Sequence, residues 1–193
     1  MFLIGFMGSG KSTLGRAVGA RPGWCYIDLD DLMEQREGMT VSQIFHSRGE
    51  QWFRARECEL LREAASMASP GGERIVVGCG GGTPCHSANM EWMNSRGTTV
   101  LLRASSDVLL RRLLEAQEQR PLLAGMSPSR LADFIEAKQI EREPWYGRAS
   151  LTLCSDRLEC EQEIADTVDE FLALLSRHPS NIPTPADPSA PSL

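Results

Sequence analysis

The feature that most constrains this sequence is a glycine-rich segment close to its start. Residues 5–12, Gly-Phe-Met-Gly-Ser-Gly-Lys-Ser, fit the pattern G-x-x-x-x-G-K-[ST], between an apolar run and a helical pattern. Its glycines let backbone N–H groups approach phosphate oxygens, and the N-terminus of the following helix favours anions. The segment therefore predicts a nucleotide phosphate site, with Lys11 on the outer phosphates and Ser12 Oγ on Mg²⁺. The expected nucleotide contacts are Gly8, Ser9, Gly10, Lys11, Ser12 and Thr13.

Short apolar runs alternate along the chain with longer segments whose apolar residues recur every three or four positions. This alternation predicts an α/β protein with a parallel sheet and helices on both faces. The length of 193 residues and the 41% hydrophobic content suit one domain. We place that domain at residues 1–178, ending in a helix from about 160 to 176, and expect the proline-rich tail of residues 179–193 to be disordered. The predicted strands are residues 2–4, 25–27, 75–77, 100–102 and 151–153.

Charge and cysteine usage narrow the class of protein. The net charge of −6 does not favour binding to nucleic acid or to an anionic membrane. No apolar run approaches ~18 residues, and no signal peptide is visible at the start. The six cysteines show neither C-x-x-C nor zinc spacing, which indicates reduced thiols. We expect a cytoplasmic monomer.

An acidic pair follows the second predicted strand. Asp28 and Asp30 are two residues apart, so an extended backbone would point both to the same side, while Asp31 is expected to cap the next helix. One carboxylate can hold a Mg²⁺-bound water while the other accepts a proton from a substrate hydroxyl. The third strand instead ends in Gly-Cys-Gly at residues 78–80, without the aspartate usual in GTPases and motors. This arrangement points toward kinases of small metabolites.

Taken together, the motifs over residues 1 to about 176 resemble those of the shikimate kinase family. The matching segments, in order, are the phosphate loop, Asp-Leu-Asp at 28–30, Gly-Glu-Gln-Trp-Phe-Arg at 49–54 with Glu57, the glycines at 80–82, Arg-Pro-Leu-Leu at 120–123 and Arg142 with Tyr146 and Arg148. The resemblance implies a three-layer P-loop fold with a five-stranded parallel sheet in the order 2-3-1-4-5. It also implies a mobile lid, which we place at about residues 115–129.

The resemblance implies phosphorylation of the shikimate 3-hydroxyl by ATP with Mg²⁺, giving shikimate 3-phosphate and ADP on the route to chorismate and the aromatic amino acids. Carried over by position, Lys11, Asp30 and Arg120 would be catalytic, with Asp30 as the base and Arg120 moving in with the lid. Ser12 and Asp28 would hold the metal. Arg112 would lie against adenine, although Arg111 is an alternative. The implied shikimate contacts are Asp30, Arg54, Gly80, Gly81, Gly82 and Arg142.

Local patterns agree with two of these roles. Arg54 and Glu57 are three residues apart on one helical face, so Glu57 can orient the guanidinium for a carboxylate. Pro144 disfavours helical geometry at Glu143, which predicts that Arg142 lies near a helix end.

Other features leave questions open. Cys79 precedes the glycine triplet where the family often has Thr or Ser; because a thiol is a poor Mg²⁺ ligand, the metal could bind more weakly. Cys85 and His86 have no assigned role. Two alternatives stay open: another P-loop kinase of a small anionic metabolite such as gluconate, or a non-catalytic nucleotide-binding module.

Overall fold

A five-stranded sheet forms the centre of the protein, which a computed structural model describes at residues 1–67, 72–117, 123 and 125–178. Each described strand pairs with its neighbours in parallel, and the order is β2-β3-β1-β4-β5. The predicted α/β class and strand order are therefore confirmed. The strands are β1 Phe2–Ile4, β2 Trp24–Asp28, β3 Arg74–Gly78, β4 Thr99–Arg103 and β5 Leu151–Cys154.

Helices connect the strands and cover both faces of the sheet. They are α1 Lys11–Gly19, α2 Leu29–Glu37, α3 Val41–Ser66, α4 Asn89–Arg96, α5 Ser106–Glu115, α6 Pro128–Tyr146 and α7 Glu161–Arg177, with a short 3₁₀ helix at Thr83–Cys85. Gly49 interrupts α3 with φ 78° and ψ 169°, a conformation that favours glycine. The last helix matches its prediction to within one residue at each end. Among the described helices, none has the length and apolar character needed to cross a membrane.

The strands read as continuous apolar runs because both of their faces are buried. Phe2 and Ile4 of β1 point into a cluster with α2, α3 and α4, whereas Leu3 between them points into a second cluster with α1 and α7. A third apolar cluster joins α5, α6 and Phe6. The sheet thus has a hydrophobic layer on each side, and the carboxyl ends of its parallel strands meet at one edge.

Two predicted helix boundaries were wrong. Asp28, not Asp31, is the N-cap of α2: Asp28 has extended backbone angles, and its Oδ1 accepts the Asp30 N–H at 3.0 Å. Asp30 therefore lies in the first helical turn, where the alternation of a strand does not apply. Helix α6 continues through Pro144 to Tyr146. Pro144 removes the amide partner of the Ile140 carbonyl, but Ile140 is 68% exposed, so water can replace that partner.

Three predicted features lie outside the described residues. They are the proline-rich tail, Arg120 and the centre of the segment assigned to the lid, residues 118–122 and 124.

Candidate active site

The phosphate loop connects β1 to α1 with three glycines at positive φ. Gly5, Gly8 and Gly10 have φ values of 147°, 79° and 88°. Glycine suits the left-handed backbone at Gly10, and a Cβ placed there would lie 2.3 Å from Leu158 Cδ1 and displace that side chain. The Lys11 ammonium donates to the carbonyl of Gly5 at 2.9 Å and to that of Phe6 at 2.8 Å. The lysine thus folds back over a loop suited to phosphate.

The corner between α1 and the end of β2 contains two hard oxygen ligands. Ser12 Oγ donates to Asp28 Oδ2 at 2.8 Å, and both side chains are half-buried. Tyr26 also donates its hydroxyl to Asp28 Oδ2, at 2.8 Å. A hydroxyl and a carboxylate beside a phosphate loop fit Mg²⁺, which is usually bound by one or two protein oxygens together with substrate phosphates and water. The geometry thus brings together the two predicted metal residues.

Asp30 lies two residues after Asp28, in the first turn of α2 and among other acidic groups. Burial by neighbouring atoms, followed by the charges of Asp28 and Glu57, raises the pKa of Asp30 from 3.8 to about 6, and Lys11 partly opposes the rise. The residue as a whole is nevertheless exposed to solvent, so water can reach the carboxylate. A carboxyl group with such a pKa is largely ionised at neutral pH and is a stronger proton acceptor than an ordinary aspartate.

Arg54 pairs with Glu57, as their spacing of three residues on one helix predicted. Its Nη1 donates to Glu57 Oε2 at 2.9 Å, and Glu57 is only 2% exposed. The other Glu57 oxygen accepts the Thr83 hydroxyl at 2.5 Å. A second ion pair, to the more exposed Glu50, measures 3.3 Å. The guanidinium therefore lies in a set orientation on α3, partly open to the site.

The glycine triplet after β3 packs directly against the charged groups of the site. A Cβ on Gly80 would lie 2.8 Å from Glu57 Oε1, and one on Gly81 would lie 2.9 Å from Arg142 Nη1. A Cβ on Gly82 would lie 2.8 Å from Arg54 Nη2. Side chains at these positions would push both guanidinium groups away. The triplet thus allows two arginines, far apart in sequence, to flank one stretch of backbone.

Arg142 contributes a guanidinium nitrogen with no hydrogen-bond partner among the described residues. This atom, Nη1, is buried, and the guanidinium carbon lies 5.3 Å from the centre of the Phe6 ring. Tyr146, one turn further along α6, donates its hydroxyl to the Gly81 carbonyl at 2.7 Å. A buried charged donor without an acceptor is costly, so the site favours an anion at this position.

The structure distinguishes the two arginines considered for the nucleotide. Arg112 is 13% exposed and donates to the Gly8 carbonyl at 3.3 Å and to the Ser155 carbonyl at 3.0 Å. Arg111 is 54% exposed and pairs with Glu159 on the surface. Arg112 is therefore the arginine beside the phosphate loop. Arg120 lies outside the described residues.

Three contacts of the site were missed by sequence reasoning. Only the Tyr26–Asp28 contact had a local signal, because residues two apart on a strand point to the same side. The contacts of Thr83 with Glu57 and of Tyr146 with the Gly81 carbonyl join distant segments and had none.

Cys79, Cys85 and His86 lie in the segment that follows the third strand. Cys79 is buried in the apolar layer, with Sγ 3.7 Å from Met93 Sδ, and burial raises the pKa of its thiol. Burial also raises the pKa of Cys85, with Arg142 and Arg54 opposing, and it lowers the pKa of His86, which Arg54 lowers further. Cys85 and His86 thus lie near the arginines, while Cys79 stays a protonated core thiol.

Comparisons with known proteins identify the family to which this chain is similar. The family model described as shikimate kinase matches residues 7–173. A curated shikimate kinase of Phocaeicola vulgatus is 44% identical over 177 residues, covering 92% of this chain and 98% of that protein. A crystal structure of shikimate kinase from Bacteroides thetaiotaomicron superposes with a TM-score of 0.84 and 41% identity, covering 91% of this chain and 97% of that one.

A second solved structure carries a ligand. Shikimate kinase from Acinetobacter baumannii in complex with shikimate has a TM-score of 0.76 and 30% identity, covering 91% of this chain and 92% of that chain. With the family model spanning most of the sequence and relatives this similar, the chain belongs to the shikimate kinase family.

Proposed function

We propose that this protein transfers the γ-phosphoryl group of ATP to the 3-hydroxyl of shikimate, giving shikimate 3-phosphate and ADP. The observation that carries the proposal is the convergence of Arg54 and Arg142 on the glycine triplet, beside Asp30 and the phosphate loop. Two guanidinium groups suit a carboxylate, and a nearby aspartate suits a hydroxyl. Shikimate offers both groups on one small ring.

The arginines would bind the substrate carboxylate. Arg54 is oriented by Glu57, and Arg142 has a buried nitrogen without a protein acceptor. A planar guanidinium can donate two parallel hydrogen bonds to a carboxylate, which sets the angle of the ligand as well as its position. The ring would then lie along Gly80, Gly81 and Gly82, where the absence of side chains leaves backbone groups accessible.

Asp30 would accept the hydroxyl proton as the hydroxyl oxygen forms its bond to the γ-phosphorus. The bond between that phosphorus and the bridging oxygen breaks, and ADP leaves with the electron pair. Such reactions depend mainly on positioning and on stabilising charge at the phosphate oxygens. Lys11 and the backbone N–H groups of the loop would supply that stabilisation. With a pKa of about 6, Asp30 is roughly nine-tenths ionised at pH 7.

Ser12 and Asp28 would hold Mg²⁺, which when bound neutralises part of the phosphate charge. Gly8, Ser9, Gly10 and Thr13 would contact the phosphates. Arg112 would lie against adenine. For Arg120 the proposal of a lid contact with the transferred phosphate is supported by the Arg-Pro-Leu-Leu motif.

We further propose that the protein acts as a monomer in the cytoplasm and binds neither nucleic acid nor membranes. The net charge of −6 and the six free cysteines support this proposal.

The test is ADP production by the purified protein with Mg-ATP, with and without shikimate, and with gluconate and AMP as control acceptors. We expect stimulation by shikimate alone. Stimulation by gluconate instead would overturn the assignment of the acceptor while leaving a kinase. ATP binding without turnover on any acceptor would indicate a regulatory module.

A further inference from the structure

The Tyr26 hydroxyl makes a contact that the proposed reaction does not explain. Tyr26 lies on β2, two residues before Asp28, and its hydroxyl donates to Asp28 Oδ2 at 2.8 Å. The same oxygen accepts the Ser12 hydroxyl at 2.8 Å, and the other carboxylate oxygen accepts the Asp30 N–H at 3.0 Å. Three donors from three segments therefore hold one carboxylate.

The Tyr26 ring fills space that three glycines leave open. A Cβ on Gly15 of α1 would lie 2.1 Å from Tyr26 Cε2, and one on Gly19 would lie 2.7 Å from Tyr26 Cβ. A Cβ on Gly78, at the end of β3, would lie 2.2 Å from the Tyr26 hydroxyl oxygen. The ring thus lies between α1 and the end of β3, in space that alanine at any of these positions would remove. The hydroxyl has little freedom to leave Asp28.

We propose that Tyr26 is a positioning residue for the Mg²⁺ site formed by Ser12 and Asp28. Its hydroxyl fixes the Asp28 carboxylate, and through it the Ser12 hydroxyl, in the orientation that receives the Mg²⁺-nucleotide. This inference rests on the proposed roles of Ser12 and Asp28. When the Ser12 proton points to a fixed Asp28 oxygen, the lone pairs of Ser12 Oγ are left free to face a cation.

Packing alone does not account for the hydroxyl. A phenylalanine ring would fill the same space between the glycines without bringing a polar atom into a half-buried position. The tyrosine must be the donor in this contact, because an ionised carboxylate oxygen can only accept. Groups that orient a metal ligand typically change metal affinity or activity by 10–100-fold when removed.

The test is the Tyr26→Phe variant, which keeps the ring and removes only the hydroxyl. We would measure ADP affinity by calorimetry with and without Mg²⁺, and then the Mg²⁺ dependence of turnover. We expect the gain in ADP affinity on adding Mg²⁺ to fall by about tenfold, with metal-free ADP affinity and the KM for shikimate unchanged.

Tyr146→Phe is a matched control, because it removes the same atom at the substrate side of the site. It should raise the KM for shikimate and leave the Mg²⁺ dependence of ADP binding unchanged. In an Asp28→Asn background, Tyr26→Phe should have little further effect on Mg²⁺-dependent binding, since its partner is already altered.

Two results would overturn the proposal. One is a Mg²⁺-dependent gain within about twofold of wild type with only a lower melting temperature, which would make Tyr26 a packing residue. The other is a full additional loss in the Asp28→Asn background. Because ADP and Mg²⁺ binding are measured without shikimate, a failure of the proposed reaction would appear separately, as absent turnover in the wild type.

Discussion

Replacing Asp30 by asparagine should abolish most of the activity and, at the same time, stabilise the fold above neutral pH. A rise in pKa from 3.8 to about 6 corresponds to about 3 kcal/mol of unfavourable interaction with the ionised form. Asp30 is exposed to solvent, so screening reduces this unfavourable interaction to roughly 1.5 kcal/mol. Loss of a negative charge in the first turn of α2 costs about 0.5 kcal/mol. The free energy of unfolding of the variant should therefore be higher by about 1 kcal/mol.

The sign of this effect depends on pH. Folded Asp30 binds its proton more tightly than in the unfolded chain, so its ionisation destabilises the fold. That destabilisation is absent below about pH 4 and complete above about pH 6. Asp30→Asn should therefore raise the melting temperature by about 3 °C at pH 8 and by almost nothing at pH 4.

The assay is thermal unfolding of wild type and variant from pH 4 to pH 8, together with kcat at pH 7.5. We expect kcat to fall by ~100-fold or more, the magnitude typical of removing a general base. Asp31→Asn is the matched control, since Asp31 is the next residue on α2 and its side chain is 65% exposed. Equal or lower stability of Asp30→Asn at pH 8, or a gain independent of pH, would refute the reasoning. A twofold loss of kcat would reassign the base.

Three further variants test the other roles. Lys11→Met should remove turnover while circular dichroism shows an intact fold; near-normal activity would contradict its phosphate role. Arg54→Lys should raise the KM for shikimate by at least about tenfold with a smaller effect on kcat, because an ammonium cannot form the paired hydrogen bonds. Arg56→Lys, two residues along α3, should not change that KM, and an equal effect of both variants would count against the clamp. Arg112→Met should raise the KM for ATP by about tenfold, whereas Arg111→Met should stay close to wild type; the reverse result would move the adenine contact to Arg111.

Features that depend only on residues close together in the sequence could be predicted from the sequence. The strands were recognisable because parallel strands buried on both faces read as short continuous apolar runs. The phosphate loop and the pairing of Arg54 with Glu57 were also predictable, since each is encoded within a few residues. The strand order followed from the family resemblance rather than from the residues alone.

Contacts between distant segments were decided only by the tertiary structure. The approach of Gly81 to Arg142 and the contact of Arg112 with the Gly8 carbonyl join parts of the chain that no local pattern relates. The N-cap of α2 also escaped local reasoning, because Asp28, Asp30 and Asp31 were all plausible caps and the pairing of β2 with β3 continues as far as Asp28. The sequence determined which elements form, because local spacing decides which side chains can be buried together; the tertiary structure determined how charged groups meet, because their positions depend on how those elements pack.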